Sequence, residues 1–345
     1  MSIAIVIISL VLLITLHELG HFYFAKKFDV KVYEFGIGIP PRVIGKKIGE
    51  TIYSINLLPL GGFVRMMGED ERVKDERSFS EKPIWQRAII LIAGVASFWL
   101  VAVLIFALVS FGWGVLREAP DGTRTDDAFL MVNWIEVDSE YRDQIGIQDR
   151  IIAVDGNEVE GRAEFNEAMG EGERILTFLG TDDSFDLTVE DGKEFLKDVD
   201  VRRVVSDRGS PLQSLRFGVS QTVNVTKMQA AGIGLIIRGA VTGEGIPEGM
   251  EFGGPVMIGS MATDALDRGA GDYLMFVGII ATILAFMNVL PIPALDGGRL
   301  LFLAVEKVKG SPIPARVEQT VNAIFFILLI MLMIAITARD IYNIL

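Results

Sequence analysis

Apolar positions in this chain gather into long unbroken runs, with short alternating stretches confined to one internal segment. Four runs, about Ile3–Ala25, Ile84–Phe111, Tyr273–Leu290 and Val317–Ile336, each supply roughly the 20 apolar residues that a helix needs to cross a bilayer. A fifth stretch, Leu215–Val241, is as long but carries Arg216, Lys227, Arg238 and several glycines. It predicts an amphipathic helix lying at an interface or on a water-exposed part of the protein. Between the second and third runs the period changes. Ile151-Ile152-Ala153-Val154 reads as a strand closing on the hairpin signal Asp155-Gly156, with helical character over Glu164–Met169 and strands at Ile175–Leu179 and Phe185–Val189. The first run has no basic leader and no small-residue cleavage site before its polar residues, so it is read as a retained helix.

Composition agrees with a mixed protein. A mean hydropathy of +0.42 is too apolar for an ordinary soluble chain, whereas 22% charged residues is too many for a purely membrane-embedded bundle. The net charge of −13 argues against a nucleic-acid partner, which would require a basic surface. Charge placement predicts an orientation. The short connections before the second run and between the third and fourth hold Lys26, Lys27, Lys31, Arg42, Lys46, Lys47, Arg299, Lys307 and Lys309, whereas residues 113–272 are acidic. By the positive-inside rule the short loops are cytoplasmic, and the long insert and both termini lie outside.

The chemistry is concentrated in few residues. The chain has 2 histidines and no cysteine, and both histidines sit in His17-Glu18-Leu19-Gly20-His21, inside the first apolar run. Residues four apart share a helix face, so H-E-x-x-H places two imidazoles where they can hold one metal ion, with Glu18 beside them as a general base. Titratable groups are expensive at membrane depth and are a functional site by default there. Catalytic zinc takes three protein ligands, and with no third His and no Cys the remaining one is expected to be a carboxylate. Asp296 is the leading candidate, in Asn288-Val289-Leu290-Pro291-Ile292-Pro293-Ala294-Leu295-Asp296-Gly297-Gly298-Arg299, where two prolines break the third run. Irregular backbone at that depth belongs beside a cavity. The competing readings are a hydrogen-bonded buried His pair, a solvated Asp on an ordinary turn, a soluble metalloprotease on a tether, and an intramembrane metal transporter.

Together, His17–His21 and the segment Asn288–Gly298 resemble the site-2 protease family of intramembrane zinc metalloproteases, in particular the bacterial regulators of sigma-factor proteolysis. Phe35–Pro40 with Ile55–Val64 resembles that family's re-entrant β-loop, and Gly253-Gly254-Pro255-Val256 its G-P-[VI] segment. Ile145–Gly156 is similar to the PDZ core, with Gln144 and Gln148 at two of its glycine positions. The resemblance implies a mainly α-helical polytopic membrane protein of about four transmembrane helices, with a re-entrant β-loop and an inserted α+β PDZ-like domain. The expected division is a membrane domain over 1–112, a PDZ-like domain over 113–210, an amphipathic linker over 211–272 and a second membrane domain over 273–345.

The same resemblance implies Zn2+ held by His17, His21 and Asp296, with Glu18 catalytic. Asn288, Pro291, Asn56, Gly61 and Gly62 become candidate substrate contacts, and Ile145, Gly146 and Ile147 a candidate peptide groove. The implied setting is the bacterial plasma (inner) membrane. The implied partners are a single-span membrane protein as substrate, the lipid bilayer, and a peptide or C-terminus on the PDZ-like domain, with no nucleic acid. One departure stands out: where the family commonly has A-G-P-x-x-N in its second span, this chain reads Ala93-Gly94-Val95-Ala96-Ser97-Phe98. Loss of that Pro and Asn leaves a weakened or inactive pseudoprotease as the alternative expectation.

Overall fold

A computed structural model describes residues 2–69, 71–119, 128–136, 139–142, 144–146, 149–179, 184–243, 245 and 253–344. By contacts the chain divides into two units, Met1–Leu108 together with Leu215–Leu345, and Val109–Ser214. The protein is mostly helical, with a smaller share of β-sheet.

In the first unit, helix α1 (Ser2–Lys27) carries the first apolar run. It stops where Asp29 enters the left-handed region (φ 52), allowing the Val30 amide to close back on the Ala25 carbonyl at 2.8 Å. Strands β1 (Val32–Ile48) and β2 (Thr51–Met66) follow as one antiparallel ribbon. Both strands bend in the middle. Residues 32–37 pair with 62–66 on one side and with 52–55 on the other, and residues 42–48 pair with 51–56. The bend is pinned by polar side chains: Asn56 Nδ2 donates to the carbonyls of Ile37 and Gly38, both at 3.2 Å, and Arg42 donates twice to the buried Glu34 carboxylate, at 2.9 and 2.6 Å.

Helix α2 (Ile84–Gly112) begins directly after Pro83. Later come α5 (Pro211–Thr242), α6 (Pro255–Arg268), α7 (Ala270–Val289), α8 (Asp296–Lys309) and α9 (Ala315–Ile344). Here α3 and α4 denote two short helices of the second unit, given below. Among the described residues four helices, α1, α2, α7 and α9, are long and apolar enough to cross a membrane. Thus the first three hydropathy runs correspond to helices within a few residues, the fourth helix extends eight residues past its run to Ile344, and Leu215–Val241 lies inside α5. Helices α6 and α8 have no counterpart in the hydropathy reading, because neither is long enough to register in a 20-residue apolar window.

Packing among α1, α2 and α7 centres on Leu13, Phe98, Phe106, Val277, Ala281 and Ala285. Between apolar helices in lipid the hydrophobic effect gives little drive, so close van der Waals fit decides, and small residues permit it. Gly278 shows this directly: a Cβ there would stand 2.6 Å from the Phe106 ring. A second cluster, including Ala25, Val32, Phe35, Val64, Ile90, Leu91 and Leu303, joins the end of α1 and the ribbon to α2 and α8. Beside it the buried Arg87 guanidinium donates to both Glu306 oxygens, at 3.0 and 2.6 Å, tying α8 to the start of α2.

The second unit is an antiparallel sheet in the order β3-β9-β4-β5-β7-β8, with β6 paired to β5. Its strands are β3 (Val115–Glu118), β4 (Ala128–Ile135), β5 (Arg150–Val154), β6 (Asn157–Glu158), β7 (Arg174–Leu179), β8 (Ser184–Val189) and β9 (Val199–Asp207). Helices α3 (Arg162–Ala168) and α4 (Gly192–Asp198) cover it, and Asp191 caps α4 by accepting from the amides of Lys193 and Glu194. Phe165, Phe178 and Phe195, all completely buried, anchor its core.

Glu50, at the turn joining β1 to β2, accepts from two nitrogens of Arg77, both at 2.7 Å, and from Lys26 Nζ at 2.6 Å. Arg77 first, and Lys26 second, hold its carboxyl at about 2, below an ordinary value of 4.5. A depressed carboxyl stabilises the fold only while ionised. The stability difference between the native chain and Glu50→Gln should therefore be constant above pH 4.5 and vanish as the pH falls through about 2. Denaturant unfolding in detergent across that window measures it; a difference unchanged down to pH 2 would show that the ion pairs carry no stability.

Candidate metal centre

His17 and His21 lie one turn apart on α1, and both are buried. The His21 Nδ1–H donates to the Ile90 carbonyl of α2 at 2.8 Å. A carbonyl can only accept, so Nδ1 carries the proton, and Nε2 is the nitrogen whose lone pair a metal would take. His17 is held differently. Its Nδ1 is buried with no hydrogen-bond partner among the described residues, and its ring is stacked on Phe98, with centroids 4.5 Å apart and an interplanar angle of 21°.

The approach of α1 to α2 at this level depends on two glycines. A Cβ on Gly94 would stand 2.2 Å from His21 Nε2 and 2.8 Å from His17 Cε1. A Cβ on Gly20 would stand 2.4 Å from the Ala93 carbonyl oxygen. Each glycine thus clears space for the facing helix, and the imidazoles lie against the backbone of α2.

Asp296 arrives from the other side, as the first residue of α8. Helix α7 ends at Val289, before Pro291 and Pro293, which cannot donate to a helical ladder. The chain then folds into a tight turn with Ala294 in the left-handed region (φ 76), a conformation costing an L-residue roughly 1–2 kcal/mol. The turn lies directly on the start of α8. A Cβ on Gly297 would stand 2.1 Å from the Leu290 carbonyl oxygen, and one on Gly298 2.4 Å from that of Ile292.

His17 Nε2, His21 Nε2 and Asp296 Oδ2 form a nearly equilateral triangle, with sides of 3.2, 3.2 and 3.3 Å. Among the described residues this is the group of His, Asp and Glu side chains placed to share an ion. Ligands about 2.0–2.1 Å from one tetrahedral zinc lie about 3.3 Å from each other, so the donor set fits that ion in kind and in spacing. Asp296 Oδ2 is moreover buried without a hydrogen bond among the described residues, a cost that a cation would offset.

Glu18 opens with His21 and Asp296 into a cleft of about 380 Å³, whose other wall is the strand Phe63–Met66. Gly62 sits at the near end, where a Cβ would be 3.5 Å from Glu18 Cγ, and Gly61 (φ 127) faces Ile14. Glu69 and Arg299, joined by an ion pair, also line the same cleft.

Other residues singled out in the sequence lie elsewhere. The Asn288 amide donates to the Leu284 carbonyl of its own helix at 2.9 Å, and Pro291 is exposed on the turn. Asn56 is occupied within the bend of the ribbon. In the second unit Ile145 belongs to the core, Gly146 donates its amide to Asp149 at 2.7 Å, and Ile147 lies outside the described residues. Sequence reasoning did not find Gly94, the Ile90 carbonyl or Phe98 as neighbours of the histidines. Phe98 was visible only as a departure from a motif, and a carbonyl acceptor leaves no signature in side-chain identity.

Comparison with known proteins places this geometry. Residues 5–332 match Peptidase family M50. A Clostridium perfringens protein named as a putative zinc metalloprotease is 31% identical, over 95% of each chain. The zinc metalloprotease RasP of Shouchella clausii is 27% identical over 95% of this chain and 96% of its own. The regulator of sigma-W protease RasP of Bacillus subtilis is 26% identical over 95% of each. With nearly its whole length matched, and with apolar helices around the His–Asp cluster, the chain belongs to peptidase family M50, the site-2 protease family, and is a membrane zinc metalloprotease.

Proposed function

We propose that His17, His21 and Asp296 ligate the zinc, that Glu18 is the general base, and that the reaction is hydrolysis of a peptide bond within the transmembrane segment of single-span proteins. The observation that carries this reading is the triangle of ligand atoms, formed between α1 and the turn after α7, with Glu18 in the adjoining cleft. Bound zinc supplies Lewis acidity, bringing the pKa of a water towards roughly 7 and polarising the scissile carbonyl. Glu18 accepts a proton from the attacking water and delivers it to the leaving amine nitrogen, so the new carboxyl takes the OH and the new amino terminus the H.

A helical substrate hides its amides in its own hydrogen bonds and must be unwound to react. The strand 62–66 is paired on one side with 32–37, and its residues 63–66 form the cleft wall opposite Asp296. We assign to it the role of template: an unwound substrate segment adds to it as a further strand and is thereby held extended beside Glu18. Gly61 and Gly62 leave room for that segment, and Asn56 serves indirectly by fixing the ribbon's bend. The ribbon is accordingly assigned as a re-entrant β-loop.

The second unit is assigned as a PDZ-like module that recruits or screens substrates through a peptide or C-terminus. Support comes from its α+β make-up, with β5 closing through Asp155-Gly156 on β6 and the short helix α3 following. The proposed setting is the bacterial plasma membrane, with this unit and both termini outside. A sigma-factor regulator or a remnant signal peptide suits the single-span class; the relative's name, regulator of sigma-W protease, favours the first.

Glu18→Gln should keep zinc at the native stoichiometry and lower cleavage of a transmembrane reporter by at least 100-fold, the usual scale of general-base loss; undiminished turnover would sink the assignment. Asp296→Ala should lower zinc content in purified protein, and retained stoichiometric metal would send the third-ligand role elsewhere. Because the chain has no cysteine, single-Cys variants test the topology directly. A Cys in place of Lys47 should react with impermeant maleimide only in inverted vesicles, and one in place of Ser184 only in intact cells. The opposite pattern would reverse the orientation.

A further inference from the structure

The proline-broken turn that delivers Asp296 is not held by its own residues alone. Pro291 and Pro293 have no amide hydrogen, and three of the remaining amides close locally: Leu290 to Met287, Ile292 to Leu290, and Leu295 to Ile292, at 3.2, 2.7 and 3.2 Å. The Ala294 amide instead reaches a different helix, donating to Asn322 Oδ1 of α9 at 3.1 Å. Ala294 is also the residue of this turn in the left-handed region, a conformation disfavoured for an alanine.

Asn322 stands on α9 where the polar stretch Glu318-Gln319-Thr320 gives way to an apolar run through Ile324, Phe325, Phe326, Ile327 and Leu328, all exposed. An amide side chain among such residues needs a partner, and a backbone N–H freed by a proline break is one. Asp296 follows Ala294 by two residues, and Gly297 and Gly298 are pressed against the same turn. Rotation of the Ala294 peptide would therefore carry the Asp296 carboxylate with it.

We infer that Asn322 is a positioning residue for the metal centre: by holding the Ala294 amide from the fourth candidate span, it fixes the left-handed turn that sets Asp296 against His17 and His21. The inference rests on the reading of Asp296 as the third ligand. Residues that orient a metal ligand typically change affinity by about 10–100-fold when removed. No contact of Asn322 with substrate is required for this role.

The test is made on purified zinc-loaded protein in detergent, with zinc affinity read by chelator competition and ligand geometry by the visible spectrum of the cobalt-substituted form. Asn322→Leu should weaken zinc at least 10-fold and alter the cobalt spectrum. Asn322→Asp, which keeps an acceptor oxygen, should restore most of the affinity, as should Ala294→Gly added to Asn322→Leu, because glycine takes the left-handed turn unaided. In an Asp296→Ala background, Asn322→Leu should cause no further loss. Native affinity and spectrum in Asn322→Leu, with Asp296→Ala impaired, would overturn the positioning role and leave the ligand reading intact. Loss restored by neither rescue would also overturn it, since Asn322 would then act through helix packing. Unchanged affinity in Asp296→Ala would instead remove the ligand reading on which the inference stands.

Discussion

Polar groups placed among apolar helices must find their partners within the protein, and in this chain that constraint organises everything around the histidines. Water is scarce where α1 runs, so an imidazole nitrogen or carboxylate oxygen left there without a donor, an acceptor or an ion at short range is costly. His21 spends one nitrogen on the Ile90 carbonyl, and His17 is wedged by the Phe98 ring. Their other nitrogens converge on a carboxylate oxygen that has no hydrogen bond among the described residues. Three lone-pair donors facing one another are unfavourable without a cation between them. The cluster is thus suited to a cation, and we propose that it holds the zinc of this metalloprotease.

The helices are shaped to permit this. Gly20 and Gly94 are the places where α1 and α2 come close enough for side chains to lie on backbone, and Gly297 and Gly298 do the same where the proline turn meets α8. In lipid such small residues are how helices gain contact at all, so the glycines that admit the histidines also stabilise the bundle. The ribbon β1–β2 then closes one side of the cleft, anchored by Glu34 and Asn56 at its bend and by the Glu69–Arg299 ion pair near Asp296. Stability and chemistry draw here on the same few contacts.

Departure from a family motif acquires a physical meaning in this setting. Phe98 stands where the resemblance leads one to expect Asn, and it takes the position of a flat apolar wall against His17. A stacked ring fixes the plane of an imidazole but offers its Nδ1 nothing to bond with. The two histidines are therefore oriented by different means, one by a hydrogen bond and one by packing.

The sequence by itself determined the four apolar helices, because a run of about 20 apolar residues has few stable alternatives in lipid. It also pointed to His17, Glu18 and His21 as the candidate centre, since titratable groups in such a run are costly without a role. The strand pattern of the second unit was legible in part, through Asp155-Gly156 and the alternation after it. Helices α6 and α8 were not, being short and amphipathic between prolines and glycines. Only the tertiary structure decided how Asp296 meets the histidines, which carbonyl orients His21, and that Asn322, 28 residues after Ala294, holds the turn between them. These depend on backbone atoms and left-handed dihedrals brought together across helices. Backbone carbonyls and amides are the same at every residue, so residue identity along the chain cannot encode which of them will meet.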